Sequence, residues 1–148
     1  MKILQIERVN YSEAKSVIKS IRIKVFQEEQ KVPPSLEFDG LDNSAIQLLA
    51  YIDCQPIGTA RIRDLGQQTA KIERLAVLPE ARGFGVGLKL METALKIIRE
   101  NDHNTVVVHA QEYIKSLYRK LGFEPLGNSF EEANITHLKM VKKIEQST

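Results

Sequence analysis

The chain has 148 residues, 43% of them hydrophobic and 27% charged, which fits one globular domain over residues 1–148 and excludes disordered, collagen-like and disulfide-stapled classes. Its 21 basic and 19 acidic side chains leave a net charge of +2, too little for a polybasic nucleic-acid footprint, and the absence of Trp leaves few base-stacking platforms. Cys54 alone cannot close an internal disulfide, no apolar run approaches the roughly 18 residues of a membrane span, and MKILQIERVN lacks a signal-peptide core, so a cytoplasmic chain off the membrane is expected.

Residues 2–9 read as a strand. From Ser12, expected as an N-cap, Ala14, Val17, Ile18, Ile21 and Val25 follow helical spacing, with room for two helical segments before Pro33 and Pro34. The acidic stretch to Asn43 reads as a loop, either a solvated one or one that shapes acceptor access, and its Glu37, Asp39 and Asp42 lack the spacing of a complete metal loop, so no metal is expected. Ile46 to Asp53, Ile57 to Asp64 and Ala70 to Val77 read as a three-stranded meander, turning at Gln55-Pro56 and at Gly66-Gln67-Gln68. Leu88, Met91, Leu95 and Ile98 mark an amphipathic helix, and Thr105 to Ala110 is a β-branched strand. A helical stripe over Ile114, Leu117, Tyr118 and Leu121 ends at Gly122, with strands expected around Phe123 to Leu126 and Thr136 to Val141. The order βααβββαβαββ predicts an α+β fold with a βαβ unit in its middle.

Charge is unevenly spread along this order. Residues 1–25 carry six basic and two acidic side chains, residues 26–44 one basic and five acidic, and residues 71–99 six basic and three acidic. The last segment holds Arg82-Gly83-Phe84-Gly85-Val86-Gly87 between a strand and a long helix. Glycines without side chains let backbone N–H groups close on phosphate oxygens, and a helix N-terminus favours an anion there. The spacing fits neither the P-loop, which needs Gly-Lys-Ser/Thr, nor the dinucleotide fingerprint, which needs glycine at the position of Leu88. Taken alone, the glycines also fit a tight turn before an ordinary helix.

The run Val77-Leu78-Pro79-Glu80-Ala81-Arg82-Gly83-Phe84-Gly85-Val86-Gly87 resembles the pyrophosphate loop of the GCN5-related N-acetyltransferase (GNAT) superfamily. Leu117-Tyr118-Arg119-Lys120-Leu121-Gly122-Phe123 is similar to a second family segment in the family's order. Ile21 to Pro33 and Phe130 to Met140 resemble the branch containing YjcF-like, ElaA-like and glyphosate N-acetyltransferase proteins. The resemblance implies a mixed, mostly antiparallel sheet with flanking helices, whose central parallel strands, ending at Val77 and Ala110, splay to admit acetyl-CoA as cosubstrate.

It further implies direct attack by a small-molecule amine, with the protein acting through positioning and electrostatics. Leu75, Ala76 and Val77 would pair with pantetheine, and Arg82, Gly83, Phe84, Gly85, Val86, Gly87 and Leu88 would wrap the pyrophosphate. Tyr118 takes the position of the acid for the departing thiolate, although an aromatic in its helical stripe also reads as core. His137 takes the position of the base, with Glu73, on one face with Lys71, Leu75 and Val77 by alternation, as the alternative. Arg22 and Arg74 resemble arginines that hold an anionic substrate, and Gln111 stands where the branch has a third, which lowers the expected substrate charge. Solvated surface arginines are the competing reading. His103 and His109 have no comparable placement. A non-catalytic acyl-CoA-binding module and a protein or peptide N-acetyltransferase are the alternatives; a homodimer stays open.

Overall fold

β1 (Leu4–Val9) leads into α1 (Tyr11–Arg22), and the computed structural model describes residues 2–145 of the chain. The cap of α1 is Asn10 rather than Ser12: the Ser12 N–H donates to Asn10 Oδ1 at 2.9 Å, and Ser12 itself lies inside the first turn. Ile18 and Ile21 bury the apolar face. The helix then widens into a π turn over Ile23–Glu29, and Pro34, at a position that needs no donor, opens the short α2 (Pro34–Glu37). The acidic stretch is therefore not a solvated loop, because Glu37 and Asp42 are buried within it.

β2 (Ile46–Ile52), β3 (Gln55–Gly66) and β4 (Thr69–Val77) form the expected antiparallel meander. Its first hairpin turns at Asp53-Cys54, both at positive φ, while Gln55 and Pro56 already belong to β3. Two-residue turns of that handedness match strand twist, and Gln67-Gln68 repeats the geometry in the second hairpin.

A bulge interrupts β4. Thr59 faces Ala76 while Arg61 faces Glu73, so β4 carries one extra residue there, and Arg74 sits at φ 57°. The alternation expected for Glu73, Leu75 and Val77 breaks at this point. Glu73 and Arg74, adjacent in sequence, both reach the ionic cluster around Asp39.

α3 (Val86–Glu100) buries Val86, Leu90, Met91, Ala94 and Ile98, a stripe rotated from the expected one, so that Leu88 is exposed. Gly58 in β3 permits its close approach: a Cβ there would lie 3.0 Å from Val86 Cγ1 and 3.2 Å from the Ala76 carbonyl oxygen. β5 (Thr105–Gln111), α4 (Lys115–Lys120), β6 (Glu124–Pro125), β7 (Phe130–Glu132) and β8 (Ile135–Lys143) complete the chain. β6 is shorter than expected, and β7 is an additional strand.

The eight strands form one sheet in the order β1-β2-β3-β4-β5-β8-β6, with β7 also on β8. All pairings are antiparallel except β4 with β5, which pair in parallel only where Thr69, Ala70 and Lys71 face Thr105, Val106 and Val107. Beyond Lys71 the two strands diverge. This wedge positions the site.

Candidate active site

β4 has no strand partner on the β5 side beyond Lys71 among the described residues, so Leu75, Ala76 and Val77 present an open backbone edge to the wedge. A single 3-10 turn, Pro79–Ala81, carries the chain into the glycine segment. Gly83 and Gly85 have φ of 87° and 76°, which side chains tolerate poorly, and nothing stands within 4 Å of where a Cβ would be at either. Gly85 is also the N-cap of α3 and offers no side-chain cap to the helix donors. Phe84 and Leu88 are exposed, Val86 is buried, and Gly87 lies against Leu117. Arg82 donates from Nε to the Val77 carbonyl at 3.1 Å and from both Nη atoms to Glu29 at 2.7 and 2.6 Å.

A pocket of about 400 Å³ opens below the wedge, lined by Tyr118, His137, Glu73, Arg74, Gln111 and Glu132 among others. It brings together the expected acid, both expected bases and two of the three expected substrate-binding residues. Tyr118 is buried in α4 and tilts against Phe123, with ring centroids 5.7 Å apart. Burial, reinforced by Tyr113, pushes its phenol above the ordinary tyrosine value of about 10, so the hydroxyl is protonated at neutral pH. His137 is buried on β8. Its Nδ1 lies 2.7 Å from the Ile135 carbonyl, which can only accept, so Nδ1 carries a proton and, in the neutral ring, the lone pair is on Nε2.

Glu73 is differently placed. Its carboxylate accepts from Arg61 and Arg63 and pairs with Lys71 at 3.2 Å. Burial raises its pKa, but the Arg63 hydrogen bond and the charges of Arg61, Lys71 and Arg63 outweigh that and bring it to about 2. Such a carboxylate takes up a proton poorly at neutral pH.

Arg22 lies outside the pocket. Only 1% exposed, it binds Glu37 through Nε and Nη2, and Asp42 through Nη1 at 2.6 Å. Arg61, likewise buried, reaches Asp39, Asp42 and Glu73. Arg74 lines the pocket, yet it donates to the Glu37 and Leu36 carbonyls and to Asp39, each at 3.2 Å. Gln111 donates to Gln30 Oε1 at 3.0 Å, joining the end of β5 to the residue that follows the π turn.

Sequence reasoning missed Glu132 and His109, both of which line the pocket. Neither belongs to a local motif. The spacing of Phe130 and Glu132 before an Ala133-Asn134 turn was the available signal for their hairpin. Among the described residues there is no cluster of His, Cys, Asp or Glu arranged for a metal, and no helix long and apolar enough to cross a membrane.

A splayed parallel strand pair, a strand bulge at the cleft and a glycine turn capping a helix together define an acyl-CoA N-acyltransferase fold. Residues 11–144 match the family described as "Acetyltransferase (GNAT) domain", and the chain belongs to that family. The uncharacterized N-acetyltransferase YjcF of Bacillus subtilis is 32% identical over 123 residues, covering 82% of this chain and 87% of the relative. The crystal structure of Escherichia coli ElaA superposes with a TM-score of 0.84 at 24% identity, covering 95% and 99% of the two chains. The PaiA N-acetyltransferase of Thermoplasma acidophilum, solved with coenzyme A, does so with a TM-score of 0.71 at 16% identity, covering 96% and 99%. The chain is thus a transferase of the GNAT class.

Proposed function

We propose that the chain transfers an acetyl group directly from acetyl-CoA to the amine of a small molecule, with His137 as base and Tyr118 as acid. The observation that carries this reading is the His137 imidazole: its Nδ1–H is tied to the Ile135 carbonyl, so the free lone pair is on Nε2, in the pocket that Tyr118 also lines. Among the described residues the Tyr118 hydroxyl has no hydrogen-bond partner, which leaves its proton available. The lining volume suits a small acceptor. A free, exposed Cys54 fits a reducing compartment such as the cytoplasm.

The residues present fit an acyl-CoA. The open edge at Leu75–Val77 suits the amides of an extended pantetheine, and the space over Gly83 and Gly85 beside an uncapped helix end suits a pyrophosphate. The thioester supplies an activated acyl group. His137 Nε2 takes one proton from the acceptor nitrogen. As the C–N bond forms and the C–S bond breaks, Tyr118 donates its proton to sulfur, and the second proton leaving nitrogen restores the phenol. Ammonium and acetyl-CoA thereby give amide, CoA thiol and one proton. Arg74 and Lys71 line the pocket but are paired with Asp39 and Glu73, so a carboxylate on the acceptor would have to compete with those partners for them.

A thiol-release assay on a panel of amines, amino acids and peptides tests the reading, with mass measurement of the products. Small amines giving products 42 Da heavier support it; acetylation of peptides alone would overturn the small-molecule assignment.

A further inference from the structure

We infer that Glu132 completes the acceptor site: its carboxylate and the His137 imidazole together hold the acceptor as an alkylammonium ion before the proton is taken. The inference rests on the acetyltransfer reading above and adds the acceptor's chemical class.

The distance between His137 Nε2 and Glu132 Oε2 is 3.8 Å, too long for a hydrogen bond. With the Nδ1–H committed to the Ile135 carbonyl, the imidazole in the neutral form a base requires has its lone pair on Nε2, the ring nitrogen nearer the Glu132 carboxylate. Two acceptors facing each other repel unless a donor lies between them. An ammonium nitrogen about 2.8 Å from each fits that separation, and its positive charge strengthens both bonds. A hydroxyl has one proton and satisfies one acceptor; an alkylammonium satisfies both.

The hairpin fixes this pair. Phe130 faces His137 and Glu132 faces Ile135 across β7 and β8, which turn at Ala133-Asn134, both at positive φ. The Phe130 ring stacks on His137 at 5.8 Å and meets His109 edge-on at 5.0 Å. His109 Nδ1 lies 3.6 Å from the other carboxylate oxygen and is buried without a hydrogen bond.

The other charges of the pocket wall are paired. Arg63 and Lys71 hold Glu73, and Arg74 binds Asp39. Glu132 faces the two imidazoles, with the Glu73-paired Lys71 ammonium close enough to act on its charge; it has no lysine or arginine ion pair among the described residues and keeps its side chain 50% exposed. It is the carboxylate left for a cation from solution. Amines that are cationic at neutral pH are then the acceptors, and neutral anilines are poor ones.

Two measurements on the full chain test this. In the first, the His137 imidazole proton resonance is titrated with propylammonium and with isosteric propanol. Wild type responds saturably to propylammonium and not to propanol, while Glu132→Gln needs about tenfold more propylammonium, the loss of one charged hydrogen bond. Glu132→Asp, which keeps the charge, recovers part of the binding. In the second, Glu132→Gln raises the acceptor KM about tenfold with kcat within about threefold and acetyl-CoA affinity unchanged. Equal propylammonium affinity in wild type and Glu132→Gln overturns the inference, as does an unchanged acceptor KM. If His137→Asn abolishes turnover while Glu132→Gln is silent, the ammonium site fails and the transfer reading stands. If wild type acetylates no amine, the transfer reading fails, and the propylammonium titration still decides the ammonium site.

Discussion

Arg82 and Glu29 form a two-pronged ion pair beside the glycine turn, with Nη1 to Oε2 at 2.7 Å and Nη2 to Oε1 at 2.6 Å. The hydrogen bond from Arg82 holds the Glu29 carboxyl below its ordinary value, so the pair stays ionic. If Arg82 takes the pyrophosphate as proposed, the incoming anion would compete with Glu29 for the same guanidinium. Glu29→Gln should therefore tighten acetyl-CoA binding about two- to fivefold, the scale of an exposed ion pair, whereas Arg82→Ala should weaken it about tenfold. Calorimetric titration with acetyl-CoA measures both.

Arg22 offers a second contrast. Its guanidinium is buried between Glu37 and Asp42, so removing it strands a carboxylate away from water. Arg22→Ala should lower unfolding free energy by about 3–5 kcal/mol in urea denaturation, the cost of breaking a buried pair. Under conditions where the variant is folded, its acceptor KM should match wild type. A raised KM with wild-type stability would return Arg22 to substrate binding.

Glu73 contributes to acid stability, as do Asp39 and Asp42 beside it. Its folded pKa of about 2 lies below the ordinary glutamate value, so the unfolded chain binds its proton first as pH falls. The stabilisation from Glu73 is fully present above about pH 4.5 and is lost between there and about pH 2. Glu73→Gln should be less stable at pH 7 and show a shallower decline over that window, read from urea midpoints across pH.

Tyr118→Phe preserves the packing on Phe123 and removes only the hydroxyl. Its kcat should fall about a hundredfold, the lower end for a positioned acid, with acetyl-CoA affinity unchanged. Because burial holds the phenol above its ordinary value, wild type should show no loss of activity from Tyr118 up to about pH 10.

Much of this was legible in the sequence where the signal is local. The meander, the long helix and the glycine turn follow from periodicity and from residues whose backbone needs are written in their side chains. The same local rules failed where tertiary structure overrides them. The bulge at Arg74 rests on pairing with β3 and is invisible in a strand that alternates on paper. Glu37 and Asp42 look solvent-bound in an acidic stretch, and only the partners Arg22 and Arg61, distant in sequence, explain their burial. Glu132 and His109 meet through cross-strand register, which no spacing along the chain reports.

On the proposed reading, His137 Nε2 takes the proton from an amine held beside bound acetyl-CoA. The direct measurement is the rate of amine-dependent thiol release by His137→Asn, taken with its acetyl-CoA affinity. If His137 is the base, kcat falls at least about a hundredfold with that affinity unchanged. A His137→Asn enzyme that releases thiol at the wild-type rate would contradict it.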